Sequence, residues 1–453
     1  MTITSRIPER TDVEPGARLM RLNLFMKLFG HHPSAWQREG TALTEVTDPD
    51  VFVDYARICE RGLFDAVFLA DTQLAMWGGA DVCPGSVFEP STLLAYVAAR
   101  TERIGLIGTV SSSLNDPVNV ARSMASLDLI SGGRVGINLV TSQFDAEALL
   151  HGMDALLPPV ERYARAREFA EVLMALWDSY PTSVCRFDKE NAEFFDPTRF
   201  RPVDHSGRFF RIRGVVSTPP SPQGRPILVQ AGASPEGRDL AARYAEAIYG
   251  IGSTIDDARE YYEDIKLRTR RHGREEEAIA VLPGCVTIIG DTHAEAVEKK
   301  RYLDSLKPLP RQLATLSAYI GMDCSGWDPD DLMPELPPIE DFPGPKGRYV
   351  MMQTLSHDDG RLVTVGEMLS RISAGGGHFT CVGTAVEVAD ELVRWFESRA
   401  ADGFNINAST LPEGIEDFVD KVVPELQERG VFRTEYAATT LRGHLSQRSA
   451  VVA

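Results

Sequence analysis

Short apolar runs that end in small or polar residues recur along this chain. The fullest case is Gly133-Arg134-Val135-Gly136-Ile137-Asn138-Leu139-Val140-Thr141-Ser142, opened by glycine and closed by amide and hydroxyl groups. The pattern repeats at Leu22 to Met26, at Phe64 to Ala70 before Asp71, and at Ile104 to Val110 before Ser111-Ser112-Ser113. It returns at Pro226 to Ala231 before Gly232-Ala233-Ser234, and at Gly403 to Asn407 before Ala408-Ser409-Thr410. Near-continuous apolar runs belong to parallel strands covered on both faces. Helical patterns lie between them. Asp50 to Arg61 carries Val51, Tyr55 and Ile58 on one stripe, with Gly62 as its expected C-terminal cap. Asn115-Asp116-Pro117 supplies an N-cap and a first-turn proline to a helix whose apolar residues are Ala121, Met124, Leu127 and Leu129. Glu161 to Tyr180 is long and amphipathic, and Thr384 with Glu387 forms a capping box for a helix through Phe396.

Polar groups after the carboxyl ends of several parallel strands predict an α/β chain folded as a (β/α)8 TIM barrel, with its site on that rim. The alternative, an open doubly wound sheet, would concentrate its ligand chemistry in one glycine-rich turn. The 453 residues exceed the roughly 250 of a bare barrel, so a single barrel domain over 1–453 must carry insertions. Two stretches fit no strand-helix repeat. One is 183–219, with Phe194, Phe195, Phe209 and Phe210 and a hairpin expected at Gly207; the other is 307–377, with Pro334-Glu335-Leu336-Pro337-Pro338 and Phe342-Pro343-Gly344-Pro345. Loops this long are functional lids or disordered segments, and both are expected as rim insertions, the second as an active-site lid.

Composition narrows the function. A formal charge of −18, with no basic block to displace phosphate counterions, argues against a nucleic-acid role. The six cysteines (Cys59, Cys83, Cys185, Cys285, Cys324, Cys381) contain no CxxC pair, which argues against a zinc site or disulfide scaffold and fits a reducing compartment. No apolar run approaches the roughly 18 residues of a membrane span, and Met1 to Arg18 lacks a hydrophobic centre, so a cytoplasmic protein is expected. That arm and the tail after about His444 read as disordered or partner-contacting.

The clearest ligand signal is Gln230-Ala231-Gly232-Ala233-Ser234-Pro235-Glu236-Gly237-Arg238. Glycine admits close backbone approach, Ser234 is a preferred N-cap, and Pro235 suits the first helical position. Such a turn presents N–H groups to an anion, most simply a phosphate; an ordinary, well-capped strand-to-helix connection reads the same way. Glu161-Arg162-Tyr163 offers a phenol and a guanidinium to the same anion.

Taken together, several segments resemble the nitrilotriacetate and dibenzothiophene-sulfone monooxygenase subfamily of luciferase-like flavin-dependent monooxygenases. They are Glu60-Arg61-Gly62-Leu63-Phe64-Asp65 with Phe68-Leu69-Ala70-Asp71; Ala125-Ser126-Leu127-Asp128 with Ser131-Gly132-Gly133-Arg134; Asn138 to Ser142; Glu161-Arg162-Tyr163; Gln230-Ala231-Gly232 with Ser234; and Ala400 to Asn405. Val422 to Gln427 and Phe432 to Tyr436 match as well. The resemblance implies a luciferase-like barrel that takes reduced FMN from a separate NAD(P)H-dependent flavin reductase and uses O2 to insert one oxygen atom into an organic substrate. By position it implies Asp71, Thr109, Asn138 and Thr141 around the isoalloxazine, and Tyr163, Gly232, Ala233 and Ser234 at the phosphate. His32, Ser142 and Tyr319 are its catalytic candidates, with His31 beside them, and no metal is implied. The other seven histidines draw no claim. A homodimer or homotetramer is expected, and no motif suits covalent flavin attachment.

The chain departs from the subfamily at Leu114, Val118 and Phe144, where relatives carry tyrosines and an asparagine, and at Ile137 and Pro158-Pro159. With His31, these three line the expected substrate pocket, and their apolar character predicts an aromatic or largely apolar substrate. A deazaflavin-dependent hydride-transfer enzyme and a flavin-binding protein without catalysis are the alternatives.

Overall fold

The computed structural model describes residues 18–75, 83–250, 252–342 and 346–446. The arm up to residue 17 and the tail from 447, read above as disordered or partner-contacting, lie outside the described residues, as does 343–345 of the proline-rich stretch.

Eight apolar runs form the strands β1 (Arg21–Met26), β2 (Ala66–Leu69), β3 (Gly105–Ser111), β4 (Val135–Val140), β5 (Ile227–Gln230), β6 (Ala247–Gly250), β7 (Ala280–Ile289) and β8 (Gly403–Ala408). They pair in parallel and in sequence order, and the ring closes where Arg21 and Leu22 of β1 meet Gly403 and Phe404 of β8. This is the (β/α)8 TIM barrel expected from the sequence. A ninth parallel strand, Phe379–Gly383, runs along the far half of β7, with Cys285 opposite Phe379 and Thr287 opposite Cys381. β7 has ten residues, so its first four serve β6 while its later ones serve this extra strand. The arrangement delivers His378 to the carboxyl end of the barrel.

Local chemistry starts the helices as read. The Asp116 side chain accepts from the N–H groups of Val118 and Asn119, both at 3.0 Å, ahead of Pro117. Thr384 and Glu387 form the reciprocal capping box, and the amphipathic helix runs Pro159–Asp178. One detail differs from expectation. Leu129 is exposed, because the Pro117–Ile130 helix turns that position away from the barrel. Gly62 is the C-cap of its helix, as expected, at φ −80°, and the left-handed residue is the following Leu63, at φ 59°. A Cβ on Gly62 would lie 2.5 Å from Val419, so glycine is needed there for close packing and not for backbone handedness.

The 183–219 insertion is two antiparallel hairpins, Cys185–Asp188 with Glu193–Phe195 and Val203–Ser206 with Arg211–Gly214, and Gly207 lies in the turn of the second. The 307–377 stretch is not a loop. It contains the helices Leu309–Ile320, Lys346–Leu355 and Val365–Ser373 around a hydrophobic core of their own that includes Leu316, Tyr349, Met352 and Met368. The amino end of the barrel is plugged by the Leu441–Ser446 helix, whose Leu441 and Leu445 pack with Phe68, Ile107, Val229 and Leu282 inside the ring. Gly105 and Gly136 leave room for Leu441, to which added Cβ atoms would come within 2.5 and 3.3 Å.

Candidate active site

At the carboxyl rim, β3 and β4 align Thr109 with Asn138. The Thr109 hydroxyl donates to the Leu69 carbonyl at 3.0 Å and therefore accepts from Asn138 Nδ2, also at 3.0 Å. That bond fixes the amide orientation and leaves Asn138 Oδ1 buried without a hydrogen-bond partner. The next residues form a tight hydroxyl cluster: Ser111 Oγ lies 2.8 Å from Ser142 Oγ, and Ser113 Oγ donates to the Thr141 carbonyl at 2.7 Å. Ser142 is buried at φ 58°, a conformation that L residues adopt at a cost, and Arg162 Nη1 donates to its carbonyl at 2.8 Å.

After β5 the chain turns into a helix at the segment read as an anion turn. Ser234 caps the Pro235–Tyr244 helix, its oxygen accepting from Gly237 N–H at 3.1 Å and its own proton remaining to give. Gly232 and Gly237 face each other so closely that a Cβ on Gly237 would sit 3.1 Å from both Gly232 Cα and the Tyr163 hydroxyl. The phenol of Tyr163 thus stands over the first turn of this helix. Gln230 Oε1 is buried beside Gly232 without a partner. Arg238 turns away, to Asp264 at 3.0 Å. Ala233 is half-buried, and its carbonyl accepts from Arg238 Nε.

Asp71 is exposed after β2. Partial burial of its carboxyl, reinforced by Glu89 and Glu147, raises it to about 6. The histidines of the loop after β1 take different directions. His32 is buried: its Nδ1 accepts from Ser34 N–H at 3.1 Å, so its Nε2–H donates to Asp304 at 3.2 Å. Burial lowers its pKa against the pull of Asp304. With both ring nitrogens held by protein, His32 ties its loop to the His293–Ser305 helix, a hydrogen-bond donor to Asp304 and not a ring free for catalysis. His31 instead meets Phe25 and His378 edge-on, at centroid distances of 5.7 and 5.9 Å. His378 also meets Tyr249 at 5.9 Å, and Tyr249 joins Phe25 and Phe68 in an aromatic floor. The Tyr249 hydroxyl accepts from Asn407 Nδ2 at 3.1 Å. His378 and Tyr249 drew no notice in the sequence, because only tertiary packing gathers these rings.

Tyr319 lies in the insertion with its hydroxyl beside Gly376, two residues before His378. Leu114 and Phe144 are half-buried in the turns after β3 and β4. Val118 does not join them. It packs against the main core and borders a recess with Leu176, Ile212 and Val216, because the second position of its helix faces the neighbouring helix and hairpin. Among the described residues no three His, Cys, Asp or Glu side chains are placed to hold a metal ion, and no helix is long and apolar enough to cross a membrane.

Residues 25–403 match the model of the luciferase-like monooxygenases. The chain belongs to that family. It is a flavin-dependent monooxygenase, with resemblance over nearly its full length. It is 38% identical to N-acetyl-S-(2-succino)cysteine monooxygenase of Bacillus subtilis (strain 168) over 426 residues, 94% of this chain and 96% of the relative. It is also 38% identical to nitrilotriacetate monooxygenase component A of Aminobacter aminovorans over 442 residues, again 94% and 96%. The structure of EDTA monooxygenase from Chelativorans sp. BNC1 superposes with a TM-score of 0.79 at 33% identity, covering 96% of this chain and all of that one. In this luciferase-like monooxygenase the polar strand ends, the serine-capped turn and the aromatic floor share one rim.

Proposed function

We propose that this monooxygenase is the oxygenating component of a two-component system, taking reduced FMN from a separate NAD(P)H-dependent flavin reductase and inserting one atom of O2 into a small organic substrate. The carrying observation is the pairing of an anion cradle after β5 with the open acceptor Asn138 Oδ1 on β4. FMN has complementary parts: a dianionic phosphate at one end and a ring bearing an imide N–H at the other. Ser234, Tyr163 and the backbone of Gly232 and Ala233 would hold the phosphate, with the helix dipole adding to their attraction. Asn138, positioned by Thr109, would accept from the ring, with Thr141 and Asp71 at its edge. Bound reduced flavin supplies the electrons and the site of O2 activation.

The residues of the chain orient the cofactor and exclude water. Phe25, Phe68 and Tyr249 form a dry floor that suits the apolar body of a substrate, and His31 and His378 border it with groups able to donate a hydrogen bond. The 307–377 insertion acts as the lid, carrying Tyr319 and His378 to the mouth. The nitrilotriacetate relative is named as component A of its system, which supports a partner reductase here. The test is a reductase-coupled reaction under 18O2 with thioether and aromatic acids as substrates, followed by mass spectrometry of the product. One labelled atom per product, formed only when reductase, FMN and O2 are all present, is the expected result. Product formed without O2 would overturn the reading.

A further inference from the structure

Arginine is always protonated, and a half-buried guanidinium without an anion is unfavourable unless a ligand completes it. Arg162 and Arg165 are two such groups. They lie three residues apart on one face of the Pro159–Asp178 helix. Arg162 Nη1 donates to the Ser142 carbonyl, while its Nε is buried with no hydrogen-bond partner. Arg165 reaches the Asn115 carbonyl only at 3.5 Å, rests 4.7 Å from the Phe210 ring centroid, and keeps Nη1 buried with no partner. Neither forms an ion pair among the described residues.

The carboxylates that would ordinarily neutralise them are used elsewhere. Glu161 pairs with Arg208 at 3.0 Å. Glu168, three residues beyond Arg165, accepts from His205 and from the N–H groups of Phe209 and Phe210, which holds the second hairpin in place. Asp116 caps the Pro117–Ile130 helix. Two cations therefore face the β3 and β4 end of the rim with donors to spare.

The phosphate turn is elsewhere. Tyr163, one residue from Arg162 and so about 100° around the helix, stands at Gly237 after β5, whereas Arg162 contacts the end of β4 and Arg165 the turn after β3. We propose that Arg162 and Arg165 form an anion subsite for a carboxylate of the substrate, next to Leu114 and Phe144, so that the substrate has an apolar body for the aromatic floor and an acid group for this pair. The proposal rests on the oxygenase reading above. A guanidinium fork matches a carboxylate in two parallel hydrogen bonds, which a neutral amide cannot reproduce.

The experiment is calorimetric titration of the full-length protein with benzoate and with its neutral isostere benzamide, with saturating FMN and again without flavin. Benzoate should bind wild type at least about tenfold more tightly than benzamide, and high salt should shrink that ratio. Arg165→Gln and Arg162→Gln should each reduce it several-fold, Arg165→Lys should keep part of it, and melting curves should establish that the variants are folded. Should the glutamine variants fail to fold, the lysine variant and the salt dependence still decide. Failure of benzoate to bind, equal binding of the two probes, or an unchanged ratio in the folded variants would overturn the proposal. So would a loss of FMN affinity relative to riboflavin in the variants, which would assign the guanidiniums to the cofactor phosphate and leave the oxygenase reading standing. A benzoate preference in a protein that takes no reduced FMN would remove the oxygenase reading and leave the anion subsite.

Discussion

Burial lowers the His32 imidazole below 6.5, against the opposing pull of Asp304. In the unfolded chain that ring gains a proton as the pH falls through about 6.5, while in the fold it stays neutral, so acidification favours unfolding. Asp304 adds to the effect at lower pH. Burial alone would raise it, but the bonds from His32 and Lys300 outweigh that and hold it below 3.8. Asp71 and Asp128, both raised to about 6 by burial, act the other way, losing stability as the pH rises between their unfolded and folded values. The comparison must therefore be between proteins. The melting temperature of wild type should fall more steeply between about pH 7.5 and 5.5 than that of His32→Gln; parallel curves would show that His32 is not held neutral. At this scale the sequence was a good guide to backbone chemistry and a weak one to side-chain direction. Ser234 and Asp116 cap as read, because a cap is a contact within three residues. His32 and Val118 were misplaced because their surroundings come from residues 304 and 212, which no local pattern reveals.

The barrel strands were legible as elements because parallel strands buried on both faces leave long apolar runs with polar ends. The 307–377 insertion was not, since its prolines suggested a loop, although Leu313, Leu316 and Ile320 already stood at helical spacing. Its core is separate from that of the barrel, so damage to it should stay local. Met368 is fully buried there, and Met368→Ala should cost about 2–5 kcal/mol of the insertion's own stability. Hydrogen exchange should quicken across the Leu309–Ile320 and Val365–Ser373 helices while the amides of β1 to β6 keep their protection. Uniform quickening across the barrel would show that insertion and barrel unfold as one unit.

The barrel is a ring closed at its amino end by the Leu441–Ser446 helix. Leu441 fills the space left by Gly105 and Gly136, and its backbone N–H donates to the Gly133 carbonyl. Leu441→Ala should therefore destabilise the entire barrel by about 2–5 kcal/mol, read as a lower denaturation midpoint with an unchanged slope. A local change confined to the last helix would contradict a closing role. The carboxyl rim was legible in kind, as a serine-capped turn and polar strand ends. Its aromatic floor was not, because the rings of His31, Tyr249 and His378 meet only once β1, β6 and the extra strand beside β7 have closed around them.

The central claim is that this rim holds reduced FMN by its phosphate and its ring together, and anaerobic equilibrium titration tests it most directly. Reduced FMN, oxidised FMN, reduced riboflavin and a reduced deazaflavin would be compared on wild type and Ser234→Ala. Reduced FMN should bind wild type most tightly. Ser234→Ala should weaken it by about 1–2 kcal/mol through loss of a cap and a charge-assisted hydrogen bond, and riboflavin should be affected much less. Tighter binding of the deazaflavin, or equal weakening of FMN and riboflavin, would contradict the account.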